Sequence, residues 1–255
     1  MPIKLEEYLT TLPKSILSGQ DVQLPDQTFR EIFKFVELGS NDVFCHLGCG
    51  DGKGLVIAKE EFDAKQVIGV DNSKEKINAA KKLWLEKDQN NVNIIMEDIL
   101  NTEFYDANVI LFWFTDEDIT QKMMKKFGEL KEGVKIITLW GPLPGCLPEK
   151  VNFPFVINQN PFKKAKNLHE QLLAVFGTKC VDFVTAWEFA ERYTKALSAP
   201  DSENNRFVTI IQSLMIWINA KKLGVACGDD IPEPVKNYIS ILREYFNIEI
   251  EHLLK

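Results

Sequence analysis

The sequence predicts an α/β fold, an open sheet of parallel βαβ units with helices on both faces, followed by an α-helical C-terminal domain. Three observations carry this reading. Between Asp42 and Leu139, short β-branched runs alternate with helical patterns, which is the mark of βαβ units. The first run leads into a glycine-rich turn, "HLGCGDG", as a strand-to-helix connection in such a unit does. From Asn167 onward the apolar residues recur with helical spacing and the extended runs stop.

Taken in order, "LPDQTFREIFKFVELG" puts Phe29, Ile32, Phe33 and Val36 on one face and reads as a helix stopped by Gly39. Strands are expected at Asp42–Leu47, Gln66–Val70, Val92–Met96, Val109–Phe114 and Val134–Leu139. The helices between them fall at about Gly54–Phe62, Ser73–Glu86 and Asp118–Leu130. Pro142, Pro144, Pro148 and Pro154 rule out helix after Leu139, and of the stretch that follows only "KVNFPFVINQ" looks extended. A stripe of Cys180, Phe183, Val184, Trp187, Ala190 and Tyr193 predicts a helix with Thr178 as its N-cap. "RFVTIIQSLMIWINAKKLG" is apolar nearly all round and reads as the buried centre of a small bundle. "PEPVKNYISILREYF" gives an amphipathic helix with proline in its first turn, and Ser198–Asn205 a polar loop. The expected domains are residues 1–160, with a helical cover over about 1–40, and residues 161–255.

Composition narrows the function. With 45% hydrophobic residues the chain can bury a sizeable core, and a net charge of -7 argues against binding nucleic acid through a basic surface. The basic run Lys163, Lys164 and Lys166 reads as a solvated approach to a helix rather than a site for an acidic partner. The five cysteines are scattered and none forms a two-residue-spaced pair, which suggests a reducing compartment with neither a zinc site nor a disulfide framework. Cys45 and Cys49 flank His46, but strand alternation sends Cys45 and His46 to opposite faces, so no metal site is expected. The N-terminal stretch lacks an uninterrupted apolar core and no run is long enough to span a membrane, so a cytoplasmic protein is expected.

Spacing decides what the turn can hold. The dinucleotide pattern needs glycine where Lys53 stands, and the phosphate-loop pattern fails because Gly48 and Gly52 are one residue too close. What remains is G-x-G-x-G over Gly48, Gly50 and Gly52, a turn that lets backbone approach a ligand closely. Asp71 ends the next strand, where an acceptor for ribose hydroxyls is expected, and Glu97 and Asp98 end the third. One polar signal per βα unit, in this order, points to a nucleotide-like cofactor.

Through "HLGCGDG", "GVDNS", "MEDIL" and "ANVILFWF", residues 25–139 resemble the class I S-adenosylmethionine-dependent methyltransferases. "EGVKIITLWGPLPG" adds a likeness to the small archaeal protein-lysine methyltransferases. The resemblance implies a Rossmann-like seven-stranded sheet and a helix from about Leu24–Pro25 folded over the cofactor. It places Gly48, Cys49 and Gly50 against the methionine moiety, Asp71 on the ribose, and Asn72 and Asp98 around the adenine, with His46, Gly52 and Ile99 also among the cofactor-binding residues. S-adenosylmethionine is then the cofactor and S-adenosylhomocysteine the product. The acceptor implied is a protein lysine, with a small-molecule amine or oxygen as the alternative, and a cofactor-binding scaffold without turnover as the alternative of a different class. No nucleic acid or membrane partner is expected, and the C-terminal helices are left to cover the substrate side or form a homodimer.

The chain departs from the family in two places. His46 stands where most members carry an acid, and it either replaces that acid in one neutral tautomer or packs beneath the turn. The single extended stretch after Leu139 leaves the last sheet strand in question. In "FWFTDEDIT", Trp113 and Phe114 could wall an acceptor pocket and Asp116, Glu117 or Asp118 could hold a cationic amine, so Trp113 and Asp116 are the catalytic candidates. Thr115 with Asp118 also reads as a helix-capping box.

Overall fold

In a computed structural model of the protein, residues 3–4, 7, 23–85, 87, 90–114, 116–197 and 206–254 are described. Most of the expected cover upstream of Gln23, and the loop Ser198–Asn205, lie outside them. The chain divides into two compact units, one of residues 23–167 and one of residues 1–22 with 168–255.

The first unit is a seven-stranded sheet. Its strands are β2 (Val43–Leu47), β3 (Gln66–Asp71), β4 (Val92–Met96), β5 (Val109–Phe112), β6 (Lys135–Leu139), β8 (Lys150–Asn152) and β9 (Phe155–Gln159), in the order β4-β3-β2-β5-β6-β9-β8. The first five are parallel, while β9 runs antiparallel to both β6 and β8. The terminal hairpin is therefore present, which corrects the doubt about the last strand. The run "KVNFPFVINQ" supplies two strands rather than one because it turns back at Phe153–Pro154. A small pair, β7 (Cys146–Leu147) with β10 (Lys163–Lys164), lies outside this sheet, and Lys163 also pairs with Glu149 at 2.6 Å.

Helices α1 (Asp26–Val36), α2 (Lys53–Glu60), α3 (Lys74–Leu83) and α4 (Glu117–Gly128) cover the sheet. The parallel strands β2, β3, β5 and β6 are largely buried on both faces and mostly apolar, while the edge strand β4 is partly exposed. On one face Cys45, Leu47, Ile110 and Phe112 pack with Met123 and Phe127 of α4. On the other, Phe33 of α1 meets Phe44 and Phe62 edge-on, at 4.9 and 5.4 Å between ring centres. Glu37, in the left-handed conformation, ends α1 two residues before Gly39. The free carbonyls there are taken by lysines, Lys135 Nζ donating to Val36 O at 3.1 Å and Lys150 Nζ to Phe35 O at 2.9 Å.

The second unit pairs β1 (Ile3–Lys4) with β11 (Ile248–Glu249) and gathers α5 (Leu168–Phe176), α6 (Phe183–Leu197), α7 (Arg206–Lys222) and α8 (Glu233–Phe246). Ile211, Leu214, Trp217 and Ile218 put α7 in the middle of its core, as its all-round apolarity requires. Two expectations are corrected here. Cys180 and Cys227 are disulfide-bonded. Residues far apart in sequence meet because Val181 and Ala226 form a β-bridge beside them, a contact that cysteine spacing cannot reveal. With Cys180 so held, α6 starts later than expected and Asp182, not Thr178, caps it by accepting from Thr185 N–H at 2.7 Å. Val184, placed on the apolar stripe, is 67% exposed. Among the described residues no helix is long and apolar enough to cross a membrane, and no group of His, Cys, Asp or Glu is placed to hold a metal.

Candidate active site

The glycine turn joins β2 to α2, and its shape needs glycine. Gly48, Gly50 and Gly52 have φ of 80°, 58° and 80°, a region other residues adopt only under strain. The turn is tied down by the neighbouring strand, because Gly48 and Cys49 N–H both donate to Val70 O at 2.8 and 2.9 Å. Asp71 completes the tie. Its buried carboxylate accepts from Gly50 N–H at 3.0 Å and from Ser73 N–H at 2.9 Å, so one side chain fixes both the turn and the start of α3.

Close packing around the turn leaves little freedom. Gly69, in the middle of β3, lies against Leu55 and Cys49, and a Cβ there would come within 2.4 Å of Leu55 Cδ1 and 2.9 Å of Cys49 Sγ. Burial pushes the Cys49 thiol up to about 12, with the Asp71 charge adding to it, so Cys49 stays a neutral packing group. Gln23, just before α1, reaches over the turn, its Nε2 3.0 Å from where a Gly50 Cβ would stand.

His46 lies on the α1 face of the sheet, its ring 5.6 Å from Phe29 and 6.2 Å from Phe44. It is buried, its Nδ1 has no hydrogen-bond partner, and burial lowers its pKa to about 3. Its Nδ1 thus makes no hydrogen bond to the turn, and burial keeps the ring neutral. Asn72 and Asp98 are exposed at the ends of β3 and β4. Asp98 Oδ1 accepts from Leu100 N–H at 2.9 Å, and Ile99 is buried next to it.

Next to the turn lies a small open pocket, lined by residues 112–114, Thr120, Thr138, Leu139 and residues 141–144. Phe114 is the partition, since its ring edge comes within 3.0 Å of a Cβ placed on Gly48 while its other side faces the pocket. Trp113 is in the wall as expected. Asp116 is not among the lining residues. Its Oδ1 accepts from Ile119 N–H at 2.9 Å, so Asp116 is the N-cap of α4 in place of the expected Thr115–Asp118 box, and Thr115 lies outside the described residues. The wall from Thr138 to Pro144 went unread in the sequence, where the proline run signalled only a loop.

Residues 38–137 match the family model described as a methyltransferase domain. The chain therefore carries a methyltransferase domain. The methyltransferase is 26% identical over 135 residues to a protein-lysine N-methyltransferase of Saccharolobus islandicus, covering 51% of this chain and 81% of that protein. It is 27% identical over 148 residues to a tRNA (guanine-N(7)-)-methyltransferase of Porphyromonas gingivalis, covering 55% and 59% respectively. Among solved structures, an RNA methyltransferase from Salinibacter ruber in complex with S-adenosyl-L-homocysteine has the same fold, with a TM-score of 0.52 at 18% identity over 58% of this chain and 99% of that one.

Proposed function

We propose that the methyltransferase transfers a methyl group from S-adenosylmethionine to the side-chain amine of a lysine in a protein. The observation that carries this is the character of the pocket beside the turn. Its wall is mainly aromatic and aliphatic with the threonines Thr120 and Thr138, none of its lining residues is charged, and Asp116, Glu117 and Asp118 stand on the stretch between two of them, Phe114 and Thr120. The carboxylates attract a cationic side chain to the entrance. Inside, loss of hydration disfavours the ammonium, which releases its proton to solvent water so that the neutral amine is the nucleophile. Trp113 and Phe114 then pack against the methylene stem that carries the amine. The same acidic entrance repels a phosphate backbone, which favours a protein over a nucleic acid acceptor. The Saccharolobus islandicus relative adds support for lysine.

The residues around the turn fit the cofactor. Asp71 has accepted one N–H on each oxygen and keeps a lone pair on each for paired ribose hydroxyls. Gly48, Cys49, Gly50 and Gly52 would line the methionine moiety with backbone, and Asn72, Asp98 and Ile99 would flank the adenine. His46 offers an uncharged nitrogen where the family has a carboxylate, so the cofactor's amino group loses a charge partner there. S-adenosylmethionine supplies a methyl group on a sulfonium with a good leaving group. The chain's task is to hold the amine in line for displacement, for which no further acid or base is required.

A cytoplasmic site of action belongs to the same reading, with the Cys180–Cys227 bond making the redox state of its compartment part of the test. Incubation with methyl-labelled cofactor and a cell lysate, followed by fractionation and mass analysis, tests the acceptor. Methyl-lysine in protein is expected. Label confined to tRNA or to the small-molecule fraction overturns the proposal.

A further inference from the structure

We infer that Asn158 and Thr138 are positioning residues that hold the acceptor wall, residues 141–144, in its working shape; this rests on the proposed use of the pocket for a lysine side chain. Asn158 is a fully buried amide in β9, directly opposite Ile136 of β6. Such a group is retained at a cost unless its hydrogen bonds are met. All of the bonds it makes bear on the segment that leads into the wall. Its Oδ1 accepts from Leu143 N–H at 3.0 Å, and its Nδ2 donates to Ile136 O at 3.4 Å and to Thr138 Oγ1 at 3.2 Å. Thr138 in turn donates its hydroxyl proton to Gly141 O at 2.6 Å. One buried amide thus reaches both ends of the Gly141–Leu143 corner, directly at Leu143 and through Thr138 at Gly141.

The segment does not take this course by local preference. Trp140, the residue between β6 and the wall, has φ of 81°, a conformation that a bulky side chain adopts only where its surroundings over-determine it. Its N–H donates to Pro154 O at 2.7 Å in the β8–β9 turn, and its ring lies 5.7 Å from that of Phe153. The corner is therefore held from behind by the β8–β9 hairpin, while its front, Gly141 to Pro144, faces the pocket. Asn158 itself does not line the pocket, so its contribution to transfer runs through the corner.

The test compares wild type with Asn158→Leu, and with Thr138→Val and Thr138→Ser, because the buried Leu variant is the one prone to misfolding. Three quantities are read. They are Kd for S-adenosylhomocysteine by calorimetry, hydrogen exchange at the Leu143 amide, and kcat and KM for methyl transfer to poly-L-lysine, with a tRNA transcript run in parallel. Thr138→Val is expected to keep Kd within about twofold, to speed Leu143 exchange, and to lower kcat/KM at least tenfold through KM and kcat together. Thr138→Ser, which retains the hydroxyl, restores exchange protection and most of kcat/KM. Wild-type kcat/KM in Thr138→Val while Leu143 exchange has accelerated overturns the positioning role and leaves the lysine reading standing. Wild-type transfer to the tRNA transcript alone overturns the lysine reading, and the same variants are then judged on that acceptor. Transfer to neither overturns both.

Discussion

Asp71 and His46 show how far single residues could be read. Asp71 stands out in the sequence because a strand-end acid about twenty residues after a glycine turn is where a ribose acceptor is expected. The task the structure shows for it, bracing Gly50 and Ser73, depends on three-dimensional closeness that spacing does not encode. His46 was legible as a departure but its surroundings were not, since Phe29 reaches it from α1. The structure turns it into a measurable titration. Its folded pKa of about 3 lies below the unfolded value near 6.5, so the unfolded state binds the proton first. Stability attached to this ring is whole above pH 6.5 and is lost as the pH falls from there toward 3. Between pH 8 and pH 5, wild type should lose about 2 kcal/mol more than His46→Leu, read from urea unfolding at the two pH values. Equal losses would mean that the imidazole is not kept neutral by burial.

At the scale of elements, the alternation of strand and helix from 42 to 139 was legible because the strands carry mostly apolar runs and each helix a polar face. The terminal hairpin was not, because ten residues containing one proline suit a long edge strand as well as two short ones. The caps moved for a related reason. Thr178 was a plausible N-cap until Cys180 was drawn into a disulfide, and Asp116 took the capping role from the expected box by being one residue nearer the helix. Gly69 was hidden in β3 as one small residue among large ones, although it seats α2 and the turn on the sheet. Gly69→Ala should destabilise the protein by about 1–3 kcal/mol, since the added methyl meets the buried side chains of Leu55 and Cys49. Cofactor affinity should fall with it, because the turn shifts with Cys49. A variant as stable as wild type in denaturant titration would show that the α2 contact yields freely.

For the whole molecule, two units with different sources of stability were only partly visible in the sequence. The expected domains meet at residue 160, whereas the two units meet at residue 167 and residues 1–22 fall with the second. The cysteines that staple that unit are 47 residues apart and looked unpaired. Closing a loop of that length restricts the unfolded chain by about 4 kcal/mol on the chain-entropy model. Reduction, or Cys180→Ser, should therefore lower the unfolding temperature of the helical unit while the affinity for S-adenosylhomocysteine stays unchanged. Loss of cofactor affinity on reduction would contradict the placement of the whole cofactor site within residues 23–167. The central claim is that the turn braced by Asp71 binds the methyl donor, and calorimetric titration of wild type and Asp71→Ala with S-adenosylhomocysteine tests it most directly. We expect one site per chain in wild type and at least tenfold weaker binding in Asp71→Ala, the loss of charged hydrogen bonds worth about 1.5–3 kcal/mol. No binding by wild type, or equal affinity in a folded Asp71→Ala, would contradict it.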